Sequence, residues 1–180
     1  ADDAIEFFGG TVNVTNLLAV NPDDDMFDFT QGYCGTLKNC YGVWESDYTS
    51  TEADPRGIEA DGNMDGLYPD HLRQSDFKVE NMTIVNNAAN TADNVDRMQD
   101  VIKIRRGAKA TITNALVKGT GGAIDLVDMK DSKGGGNIES SIHMTNTLSH
   151  RIEAERRTEY ICRIGRQYRC RRFSVRLDRL

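Results

Sequence analysis

An internal repeat constrains this chain more than any other feature. Residues 5–20 lie over residues 102–117 with one residue of slack: a short alternating strand, a turn containing Gly, a second alternating strand, then Thr-Asn and a third short apolar strand. Residues 77–85 repeat the last two parts. The strands are short and alternate with period two, as a sheet with one buried face requires. A repeat of roughly twenty residues built this way is the pattern of a solenoid, whose units bury their apolar faces only by stacking on one another. The expected fold is all-β, a right-handed parallel β-helix of five to six coils over residues 1–150. An antiparallel sandwich also uses short strands but requires no fixed coil length.

Apolar-charged-apolar triplets mark the coils. They recur as Ile5-Glu6-Phe7, Phe27-Asp28-Phe29, Ile58-Glu59-Ala60, Ile102-Lys103-Ile104 and Ile124-Asp125-Leu126, with intervals of 22, 31, 44 and 22 between their centres. The longer intervals leave room for excursions at 45–56, 62–75 and 87–100, which are rich in Asp, Asn, Gly, Ser and Thr. Asn16, Asn39, Asn81, Asn114 and Asn137 each follow a triplet. Equivalent positions in a solenoid are about 4.8 Å apart, so these amides are expected to hydrogen-bond up the stack as an inward-facing asparagine ladder.

Charge narrows the partners. The last thirty residues hold ten of the 22 basic and four of the 28 acidic residues, leaving 12 basic against 24 acidic in residues 1–150. An acidic body does not suit nucleic acid, which needs a basic face to release counterions, and no apolar run is long enough for a membrane-spanning helix. Residues 151–180 form an Arg-rich tail without Lys in which the coil pattern is lost. The cysteines, Cys34 with Cys40 and Cys162 with Cys170, lack the spacing of a zinc or redox motif. A Cys34–Cys40 disulfide and a pair of free thiols both fit.

Residues 5–12, 23–33 and 56–61 resemble the pectate-lyase-like right-handed β-helix superfamily, and more narrowly a group of secreted bacterial β-helix proteins of poorly defined function. The resemblance covers residues 4–140 and implies a secreted or cell-surface location. β-Helices host lyases, hydrolases, esterases and adhesins, so the fold leaves the activity open. Complete members carry more coils and caps, so further coils or a capping partner are expected at the ends.

The triplet centres Glu6, Asp28, Glu59, Lys103 and Asp125 are expected to stack on one outer face, since their apolar flanks point inward. Carboxylates one coil apart repel unless a cation intervenes. One reading is a Ca2+ site built from Asp25, Asp28, Glu59 and Asp61. Another is acid/base cleavage of a glycosidic bond, which needs two carboxylates with one pKa raised. The plain alternative is a solvated face. Asp23-Asp24-Asp25 lacks the ligand spacing of an EF-hand. Tyr33, Tyr41, Trp44, Tyr48 and Tyr68 gather in and beside the first excursion and suit sugar stacking. The function expected is carbohydrate binding, with a polysaccharide or glycan surface as partner. The alternatives are a polysaccharide lyase or glycoside hydrolase and a structural adhesin without a site.

Overall fold

The computed structural model describes residues 2–63, 73–88, 98, 100–121, 125–130, 139–152, 157–162 and 172–173, the last two segments, residues 150–152 and Asp125 by backbone alone. These residues form parallel strands stacked into coils. One sheet holds β1 (Glu6–Phe8), β3 (Phe27–Thr30), β5 (Ile58–Ala60), β7 (Asp100–Ile104) and β9 (Asp125–Asp128) in that order. The other holds β2 (Val14–Val20), β4 (Thr36–Trp44), β6 (Asp76–Asn86) and β8 (Lys109–Lys118), on which β10 (Ser141–Thr145) and β11 (Thr147–Ile152) stack in parallel. From β1 to β9 odd strands pair only with odd and even with even, so the chain passes from one sheet to the other and back in each coil. Crossovers between parallel strands are right-handed in nearly all proteins, and this is a right-handed parallel β-helix. The parallel stacking ends at β11, where β12 (Arg157–Cys162) and then β13 (Arg172–Phe173) add antiparallel.

The long strands each carry a corner. In β6, Phe77, Val79, Met82 and Ile84 are buried, so the alternation slips by one residue at Asn81. Asn16, Asn39, Asn81, Asn114 and Asn146 all have φ between 50° and 62°. Asn accepts this left-handed backbone because its short polar side chain bonds locally. Each strand therefore bends there into two flat runs, and the helix cross-section has three sides.

The core is a set of side-chain columns. Phe7, Phe29, Ala60 and Ile104 stack on the short sheet, with Phe7 and Phe29 rings parallel at 5.4 Å. Val14, Leu37, Val79, Ile112 and Met144 form the facing column. Gly42 sits in another, where a Cβ would meet Met26 Sδ at 2.5 Å, so any larger residue would have to displace the buried Met26 side chain. The strand limits leave the excursions close to where the sequence puts them.

One expectation changes, one falls outside the described residues and one open alternative closes. Asn137 lies outside the described residues, and Asn146 takes the fifth corner. The amides do not point inward, because a left-handed corner throws its side chain outward, and all five asparagines are exposed. Cys34 and Cys40 are free thiols: Cys40 packs in the core while Cys34 donates to the carbonyls of Gly32 and Gln74.

Candidate functional site

Two outward faces carry the chemistry. On the short sheet, register places Glu6 beside Asp28, Asp28 beside Glu59, and Glu59 beside Lys103. Lys103 then pairs with Asp128, whereas Asp125 pairs with Asp100. Asp125 is therefore not in the column. The interval of 22 points to the wrong triplet because this coil is three residues longer, and Val127 fills the place beside Ile102. The charge pattern agrees, since Lys103 Nζ donates to Asp128 Oδ2.

Glu6 at the end of the column is exposed, but its middle is not solvated. Asp28 and Glu59 are 8% exposed and Lys103 6%. Charged neighbours lie across it. Arg56 donates to Glu59 Oε1 and Asp54 Oδ2 and lies 3.6 Å from Asp100. Arg105 donates to Glu59 Oε2 and to both oxygens of Asp61, and Arg106 reaches Asp61 at 3.4 Å. Burial pushes the Glu59 carboxyl up to about 7, a rise that Arg105 and Arg56 hold back. Asp28 has no such partner: burial, then the charges of Glu59, Asp3, Glu6 and Asp61, push it up to about 9.

Of the expected metal quartet, Glu59 and Asp61 are thus taken by arginines. Asp25 and Asp28 fall instead among Asp3, Glu6 and Asp24. Carboxylate oxygens of Asp3, Asp24 and Asp25 lie within 4.8 Å of one another, as do those of Asp3, Glu6 and Asp28. Sequence reasoning missed Asp3, and the signal was there: Asp2-Asp3-Ala4-Ile5-Glu6-Phe7 recurs as Asp24-Asp25-Met26-Phe27-Asp28-Phe29. It also missed Arg56 and Arg105, which flank the triplets around Glu59 and Lys103.

The expected sugar-stacking cluster is dispersed. Tyr33 and Trp44 are fully buried. Tyr33 packs on Phe7 and Phe29 and donates to the Val12 carbonyl at 2.7 Å, while Trp44 Nε1 donates to the Pro22 carbonyl. Tyr48 is half-buried against Trp44. Rings of this size supply core area that a solenoid with short strands needs. Tyr68 lies outside the described residues, and Tyr41 is exposed.

Tyr41 belongs to the second face. Leu18, Tyr41, Thr83, Leu116 and Leu148 share one outward column. Beside it run the corner asparagines, each amide donating to the Oδ1 of the asparagine one coil back: Asn39 to Asn16 at 3.1 Å, Asn81 to Asn39 at 2.9 Å, Asn114 to Asn81 and Asn146 to Asn114 at 3.1 Å. A groove between the two columns is lined by Asn81, Thr83, Asn114, Leu116, Asn146 and Leu148, with Met82 and Ala115 at its floor.

The family model of the pectate-lyase-like β-helix domain matches residues 1–171. The chain belongs to that family. The match includes most of the Arg-rich tail. No curated protein and no solved structure matches the chain significantly. Among the described residues no helix is long and apolar enough to cross a membrane.

Proposed function

We propose that this pectate-lyase-like β-helix binds carbohydrate, laying a linear glycan across its coils in the groove beside the asparagine column. The observation that carries this reading is the side-by-side run of exposed amides and an apolar stripe over successive coils. Each amide spends one N–H on its neighbour and keeps further hydrogen-bonding capacity for hydroxyls. Leu116, Leu148 and the Tyr41 ring offer the apolar surface that a sugar face covers. An acidic body favours a neutral glycan, or an acidic one only through a cation. The reading goes with a secreted or cell-surface location, where such polymers are met.

Cleavage by the carboxylates of the short sheet is less well supported. A general acid must touch the bond it protonates, and Asp28 and Glu59 are covered by their neighbours. A glycan array followed by affinity electrophoresis tests the binding reading. The full chain is expected to bind at least one linear polysaccharide, and Leu116→Asp or Tyr41→Ala is expected to weaken it at unchanged melting temperature. A silent array would return the protein to the structural adhesin reading, and variants that bind as well as the parent would place the glycan away from this groove. Release of reducing ends or unsaturated product would replace binding by cleavage.

A further inference from the structure

We infer that the corner joining the first two coils is a hard divalent-cation site, in which Asp3, Asp25 and Asp28, aided by Glu6 and Asp24, supply carboxylate oxygens to Ca2+ and tie the first coil to the second. This inference does not depend on glycan binding and concerns a different face of the helix.

Geometry brings the ligands together. Asp3 belongs to both oxygen triplets, one with Asp24 and Asp25 and one with Glu6 and Asp28. The backbone holds them in place: Asp24 N–H donates to the Asp2 carbonyl, Ala4 N–H to the Asp25 carbonyl, and Asp25 N–H to Asp3 Oδ1. The repeated Asp-Asp dipeptide delivers carboxylates from adjacent coils to one corner by register alone.

The second observation is independent of that proximity. Asp25 is 2% exposed and Asp28 8%, and the Oδ1 atoms of both are buried without a hydrogen-bond partner, as is Asp24 Oδ1. Among the described residues these are all the carboxylate oxygens left so, and all three sit on residues of the triplets. A buried carboxylate oxygen left without a partner is costly, so the cluster needs a positive charge or protons. Arg56, the cation that acts on Asp24 and Asp25, is already bonded to Glu59 and Asp54. Oxygen-only, anionic ligands select a hard cation. Ca2+ tolerates the irregular set that two stacked coils present, whereas Mg2+ demands near-ideal octahedral geometry.

Isothermal titration of the chelator-treated full chain with CaCl2 and with MgCl2, without glycan, tests the site. Ca2+ is expected to bind with one-to-one stoichiometry and, at about 100-fold excess over Kd, to raise the melting temperature by several degrees. Mg2+ should bind at least tenfold more weakly. The double change Asp25→Asn with Asp28→Asn keeps side-chain shape and should abolish both the heat and the shift while the metal-free protein stays folded. Should that variant fail to fold, Glu6→Gln on the exposed side should weaken Ca2+ by about tenfold. Glu59→Gln, at the arginine-bound carboxylate, should leave Ca2+ binding within twofold. A flat titration with no thermal shift, or a shift that survives the double change, would overturn the site and leave the carboxylates neutralised by protons.

Discussion

Arg105 joins two coils through one guanidinium: its Nη2 donates to Glu59 Oε2 at 2.5 Å and its Nε to Asp61 Oδ1 at 2.9 Å. Both carboxylates are buried, so the pair is more than a surface ion pair. Arg105→Met should therefore cost about 3 kcal/mol, mainly by removing one of the two guanidiniums that compensate each buried carboxylate, Arg56 being left on Glu59 and Arg106 on Asp61. Urea denaturation reads this directly. Combining it with Glu59→Gln should cost less than the sum of the single changes. Strict additivity would mean that the contact carries no energy.

The corner asparagines separate backbone strain from hydrogen bonding. Asn81 stands at φ 58° and shares hydrogen bonds with Asn39 and Asn114. Asn81→Leu should cost about 1–2 kcal/mol, since a branched apolar residue resists the left-handed region. Asn81→Gly keeps that backbone and loses only exposed amide contacts, so it should be the milder change. If glycine were the worse substitution in equilibrium unfolding, the amide column rather than the backbone would hold the corner.

Residues with period two and a repeated triplet were readable as coils because each coil must present the same inward face to its neighbours. The excursions were readable for the converse reason, that they escape that demand. The site was harder. Which triplet faces Lys103 depends on coil length, and two candidates, one around Asp125 and one around Asp128, satisfy the same pattern. Outward direction was also mistaken for exposure: alternation says that Asp28 and Glu59 point away from the core, but only the long-range placement of Arg56 and Arg105 says that they are covered. Four of the five asparagines read in register, Asn16, Asn39, Asn81 and Asn114, do form a column, yet its inward or outward sense depends on φ, which the residue type permits but does not state.

Proton binding offers a third test. Burial and the charges around it push Asp28 up to about 9 from the ordinary 3.8. In metal-free buffer the folded protein thus keeps a proton that the unfolded chain has already released. The stability this group contributes is complete below the ordinary carboxylate range and is lost as pH rises from about 4 toward 9. Asp28→Asn should flatten that decline, measured as unfolding free energy against pH. A decline equally steep in the variant would assign the dependence to other groups, with Asp24 and Glu59 the next to examine.

The two fates of the aromatic residues give the last prediction. Trp44 is fully buried, with its ring against Tyr48 and its indole N–H on the Pro22 carbonyl. Tyr41, three residues earlier, faces outward on the same strand. Trp44→Ala removes a large core side chain and orphans a carbonyl, and should cost about 3–5 kcal/mol. Tyr41→Ala empties no cavity and should change stability by no more than about 0.5 kcal/mol. Its effect should fall instead on glycan affinity, where the exposed ring is part of the stripe. Thermal melting and affinity electrophoresis on the same two variants would separate the roles. A stable Trp44→Ala would contradict the packing, and a Tyr41→Ala that binds glycan unchanged would remove this ring from the glycan-binding stripe.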